Sequence, residues 1–109
     1  MAYDQALAFR VRSHLTGTPL LVEKKMFGGI GFLVQGNMAC GVHGDNLIVR
    51  LDPQDYQSAL SRQHVRLFDM TGKPMKGWIF VLPEGVRTEE ELAGWVQVGL
   101  EYAGRLPAK

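Results

Sequence analysis

Apolar positions recur at helical spacing at the start of the chain. Leu7, Ala8, Val11 and Leu15 fall on one face, with Arg10, Arg12 and Ser13 on others. This predicts a helix from Tyr3 to about Leu15, stopped by Gly17 and Pro19. Three strand-like runs follow. Gly31 to Gln35 ends at Gly36-Asn37, Met38 to His43 ends at Gly44-Asp45, and Asn46 to Leu51 places Leu47, Val49 and Leu51 on one face against Ile48 and Arg50 on the other. Short Gly/Asn/Asp connections between apolar runs are hairpin signals, so these runs predict a three-stranded antiparallel meander. Asp52-Pro53-Gln54-Asp55 opens a second helix to about Arg62, since Asp52 caps free N–H groups and proline suits the first helical position. Val65 to Phe68 and Trp78 to Leu82 read as two further strands around a loop, Asp69 to Gly77. Thr88 and Glu91 form a capping box, followed by an amphipathic stripe of Leu92, Trp95, Val96, Gly99, Tyr102 and Ala103 that Gly104 and Pro107 end. The expected fold is therefore α+β: a two-layer sandwich with a mostly antiparallel five-stranded sheet and its helices on one face, in the order α-β(3)-α-β(2)-α.

Composition narrows the function classes. The chain has 109 residues, ordinary for a single domain, with 12 Lys and Arg against 11 Asp and Glu and a formal net charge of +1. That balance provides no whole-molecule attraction to nucleic acid or to anionic lipid, so nucleic-acid contact would need a local patch. One cysteine, Cys40, cannot form an internal disulfide, which suits a reducing compartment. No signal peptide or spanning apolar run is visible. A soluble, cytoplasmic single domain over residues 1–109 is expected, with no membrane partner.

Candidate chemistry is sparse. Gly28-Gly29-Ile30-Gly31 resembles part of a phosphate loop, but a dinucleotide fingerprint beginning at Gly29 would need Gly or Ala where Val34 stands, and a strand follows rather than a helix. Gly72-Lys73 is followed by Pro74, and Leu67 stands where a Walker loop needs its first glycine. These glycines read instead as sites of a bulge or of close packing. Cys40 and His43 are three apart on one strand and point to opposite faces, so they form no thiol–imidazole pair. The carboxylates Glu89 to Glu91, Asp45, Asp52 and Asp69 are explained by caps and turns. No catalytic residue, metal ligand or cofactor is expected. The loop through Lys73, Met75 and Lys76 to Trp78 combines charge with exposable Met and Trp, and Lys24-Lys25 is a second basic feature.

Met26-Phe27-Gly28-Gly29-Ile30-Gly31-Phe32 after a first helix resembles the N-terminal domain of the TfoX/Sxy family of competence regulators. Asn46-Leu47-Ile48-Val49-Arg50, the Gly72-to-Trp78 segment, Pro83 and the Trp95-bearing helix also look like it. The resemblance implies a secretion-chaperone-like sandwich and transcriptional co-regulation alongside the cyclic-AMP receptor protein. It brings no catalytic residues, and it implies that Met26, Phe27, Gly28, Gly29, Gly31 and Phe32 are fold determinants. The leading expectation is a stand-alone, non-enzymatic protein-interaction module whose partner is a transcription factor or another protein, engaged through Lys73, Met75, Lys76 and Trp78. The alternatives are direct DNA binding through Lys24, Lys25, Lys73 and Lys76, and a small-ligand binder or enzyme with a cleft near Gly28 to Gly31. A homodimer through a sheet edge or an apolar helix face is a further option.

Overall fold

A computed structural model describes residues 3–26, 28–69 and 72–108. The first helix, α1, spans Gln5–His14, and Asp4 caps it by accepting from the N–H groups of Ala6 (2.9 Å) and Leu7 (3.1 Å). Its buried face is Leu7, Ala8 and Val11, continued by Leu15 beyond the helix end. Its two flanks are tied to different elements. Arg10 and His14 reach Glu89 at the start of the last helix, at 2.6 and 2.9 Å, and Arg12 forms a two-pronged ion pair with Glu23.

Among the described residues the sheet has six strands, one more than the hydrophobic pattern predicts: β1 (Leu21–Met26), β2 (Gly29–Val34), β3 (Asn37–His43), β4 (Asn46–Arg50), β5 (Val65–Leu67) and β6 (Trp78–Val81). Every pairing is antiparallel, and the spatial order is β1-β2-β3-β4-β6-β5. The element order is therefore α-β(4)-α-β(2)-α. The added strand, β1, reads Leu-Val-Glu-Lys-Lys-Met and shows no apolar alternation, because as an edge strand it leaves most of its side chains in solvent. Its ladder with β2, from Leu21 opposite Val34 to Met26 opposite Gly29, holds it in place. The second helix is also shorter than expected. A 3-10 turn at Pro53–Asp55 precedes α2, Tyr56–Leu60, and the Ser61 hydroxyl donates to the Ser58 carbonyl at 2.6 Å where the helix stops.

The last helix, α3, spans Glu89–Arg105 and carries the expected capping box, with Thr88 Oγ1 accepting from Glu91 N–H and the Glu91 carboxylate accepting from Thr88 N–H. Leu92, Trp95 and Val96 enter the main core, where Phe32, Cys40, Val42, Leu47, Val49, Ile79 and Val81 meet all three helices. Between Phe32 and Leu33 the β2–β3 register shifts, leaving Ala39 as an extra residue. Against this bulge α3 comes closest: a Cβ on Gly99 would overlap the Ala39 carbonyl oxygen. The sheet's other face carries a second cluster of Met38, Ile48, Phe68 and Phe80, flanked by Met26, Leu33, Met75 and Trp78.

Two outcomes follow from these contacts. Gly99→Ala forces α3 off the sheet and should cost about 1–3 kcal/mol or more, whereas Gly94→Ala, on the open side of the same helix, should stabilise by about 0.5–1 kcal/mol; urea denaturation of both variants separates them. The Glu89 carboxyl is held below its ordinary value of 4.5 by its hydrogen bonds from His14 and then Arg10. Its contribution is thus complete above about that pH and is lost as pH falls through the depressed folded value. Glu89→Gln should therefore flatten the fall of the urea midpoint with acid below about pH 4.5.

Candidate interaction surface

The connection from β5 to β6 folds over the sheet face that the helices leave open. Phe68 is fully buried there, its ring 5.7 Å from Trp78 and 5.0 Å from Phe80, and His43 lies 6.0 Å from Phe80 on the far side of the row. Backbone bonds close the loop on itself: Met75 N–H donates to the Phe68 carbonyl at 3.1 Å and Trp78 N–H to the Met75 carbonyl at 3.0 Å. Met75 and Trp78 are accordingly half-buried and pack into the second cluster, while Lys73 and Lys76 are exposed. Of the four residues singled out in this loop, two therefore serve packing and two present charge.

Pairing across strands supplies partners that sequence adjacency does not reveal. Arg50 on β4 lies opposite Trp78 on β6, and its guanidinium sits 5.0 Å from the Trp78 ring and 5.5 Å from Tyr102 of α3. Arg105 lies 5.7 Å from the same tyrosine and 3.6 Å from Asp52. The run Trp78–Arg50–Tyr102–Arg105 thus continues from the lysine-bearing loop around the end of the sheet. A strand's alternation could mark Arg50 as sharing a face with Ile48, but only the β4–β6 pairing joins it to Trp78.

Lys24 and Lys25 are not part of this surface. They lie on β1, four inter-strand spacings or about 19 Å from β6. They also face opposite ways: Lys24 stands across from Gly31 on the open face and Lys25 across from Ile30 on the helix side. The four lysines taken together as one DNA-binding set do not converge.

The glycine-rich segment is a packing device. A Cβ on Gly29 would overlap the Val42 carbonyl oxygen; one on Gly31 would come 2.5 Å from the Met26 sulfur; and one on Gly41 would come 2.6 Å from the Ile30 carbonyl and 2.7 Å from the Met38 methyl. Gly31 and Gly41 lie directly opposite each other, and the two methionines fill the hollow they leave. The hollow over Gly31 and Gly41 is thus taken up by Met26 and Met38. Gly28 has φ 73°, near the His43 ring, and Phe32 is buried in the main core. Phe27 of the motif, and Met70 and Thr71 of the loop, lie outside the described residues.

On the helix side, Arg62 stacks on Trp95 at 4.0 Å between two clefts. One, about 210 Å³, is lined by Leu51, Asp55, Ser58 and Val98; the other, about 350 Å³, by Gln63, His64, Glu84 and Glu91. Among the described residues no three His, Cys, Asp or Glu side chains gather as metal ligands, and no helix is long and apolar enough to cross a membrane.

The family model for the TfoX N-terminal domain matches residues 13–103, from the end of α1 through every strand to the last turns of α3. The chain belongs to the TfoX N-terminal domain family. Comparison with curated proteins and with solved structures finds no significant match. In this TfoX N-terminal domain Met26, Gly29 and Gly31 of the motif lie at the β1–β2–β3 contact just described, where small residues and methionines let the backbones approach.

Cys40 of the TfoX domain points into the main core and His43 to the opposite face, in line with strand alternation. Burial pushes the Cys40 thiol up to about 12. The folded protein should leave Cys40 unmodified by iodoacetamide at neutral pH, and urea should expose it to complete alkylation, read by intact mass.

Proposed function

We propose that this domain is a non-enzymatic, cytoplasmic protein-interaction module acting in transcription regulation, with an acidic segment of a transcription factor or of RNA polymerase as its partner. The carrying observation is the basic and aromatic surface formed by Lys73, Lys76, Trp78, Arg50, Tyr102 and Arg105 on a chain of nearly neutral net charge. A local patch of this kind steers and fixes an acidic partner even where the whole molecule carries little charge. Family membership supports the regulatory context. The non-enzymatic reading is supported by the structural duties of the polar groups: Asp4, Asp52 and Glu91 cap helices, Glu23 and Glu89 hold cations, and Cys40 is sealed in the core.

The same surface favours a second reading, direct contact with DNA, because cations interleaved with aromatic rings also suit phosphates and bases. Affinity capture from the native lysate, with and without nuclease, separates the two. Enrichment of a transcription factor or RNA polymerase that survives nuclease supports the first reading; loss on nuclease, with purified domain binding duplex DNA in a steeply salt-dependent way, supports the second. Lys73→Glu with Lys76→Glu should lower binding about tenfold or more at unchanged melting temperature, since neither ammonium is buried. Unchanged binding would remove the loop from the interface.

A further inference from the structure

We propose that the outer edge of β1 is a self-complementary interface at which a second copy of this chain pairs antiparallel, joining two six-stranded sheets into one. β1 is six residues long and among the described residues pairs only with β2, so one side of its backbone is open to another strand; β5 at the opposite edge has three residues. Apolar exposure collects at the same place. Of the large hydrophobic side chains exposed in the described residues, Val22 (56%) lies on β1 and Leu20 (66%) immediately before it. Phe9 (65%) lies one turn from Arg12 on the flank of α1 that holds Glu23 of β1. The remaining one, Leu67 (44%), is on the other edge strand.

The side chains of β1 select a register. A two-fold axis perpendicular to the sheet keeps the helix layers on one side, and residues facing each other across the new ladder must then point to the same face. Centring the axis on Glu23 opposes two carboxylates in the helix layer. Centring it on Lys25 opposes two ammonium groups there. Centring it on Val22 leaves Glu23 opposite Leu21. Centring it on Lys24 sets Glu23 opposite the partner's Lys25 twice over in the helix layer, and Val22 opposite the partner's Met26 twice over on the open face. Only Lys24 then meets its own copy, at an exposed position where both ammonium groups extend into water. Edge lysines ordinarily guard a strand against pairing; here Glu23, already drawn into place by Arg12, answers the partner's lysine and makes the edge selective for itself.

The test uses purified full chain and is independent of the partner proposed above. Sedimentation velocity over a concentration series should show a monomer–dimer equilibrium. Lys24→Cys should oxidise to a symmetric disulfide-linked dimer, because directly opposed residues lie within disulfide reach, about 4.5–5.5 Å between Cα atoms. Glu23→Cys should not, being displaced two residues from its copy. Glu23→Lys and Lys25→Glu should each weaken dimerisation about tenfold or more, and the double swap should restore it. Circular dichroism checks that each variant folds. A monomer throughout the series would overturn the proposal, as would a dimer that neither cross-links through residue 24 nor recovers in the double swap.

Discussion

Where Gly99 of α3 meets the Ala39 carbonyl, and where Gly29 and Gly41 meet the backbones of their neighbouring strands, the structure has no room for a side chain. These contacts set the spacing of everything else. The bulge that exposes the Ala39 carbonyl to α3 also restores Cys40 to the helix side and leaves Met38 on the other. With α3 seated there, Leu92, Trp95 and Val96 reach the central strands, and Glu89 at the helix start comes within reach of α1. On the opposite face the glycines create a hollow that the sulfur side chains of Met26 and Met38 fill, and the aromatic row of His43, Phe80, Phe68 and Trp78 extends from its rim.

Much of this architecture was legible in the sequence because the signals were local. Leu47, Val49 and Leu51 alternate with Ile48 and Arg50, Thr88 and Glu91 sit at capping-box spacing, and Gly36-Asn37 and Gly44-Asp45 mark tight turns. Each is decided within a few residues, and α3, β3 and β4 formed where expected. β1 was not legible, because Glu23, Lys24 and Lys25 erase the alternation that burial would impose. The interaction surface was half legible. Charge and aromaticity in the Lys73-to-Trp78 loop stand out in the chain, but Arg50, Tyr102 and Arg105 join that loop only through strand pairing and helix docking. Long-range pairing likewise decides that Lys24 and Lys25, which look equivalent to Lys73 and Lys76 in composition, belong to another part of the molecule.

The near-neutral charge of the chain conceals this division of labour. At the β6 end Arg50 and Arg105 lie against the Trp78 and Tyr102 rings, with Asp52 3.6 Å from Arg105, whereas Arg10 and Arg12 of α1 pair with Glu89 and Glu23. A count of charges does not separate these two populations. Beneath the first, Phe68 is fully buried and packs against the Trp78 and Phe80 rings.

The position of β6 between β4 and β5 constrains how the chain can assemble its sheet. Strands β1 to β4 can assemble as successive hairpins, each closing a short loop against a neighbour already made. β5 emerges next but has no place on that sheet, because its one partner has not yet been reached along the chain. It joins the sheet only through β6, which lies beyond the ten residues of the 68–77 connection and pairs with β4 on its other side. The loop that carries Lys73 and Lys76 is thus also the tether that ties the edge strand β5 to the rest of the sheet.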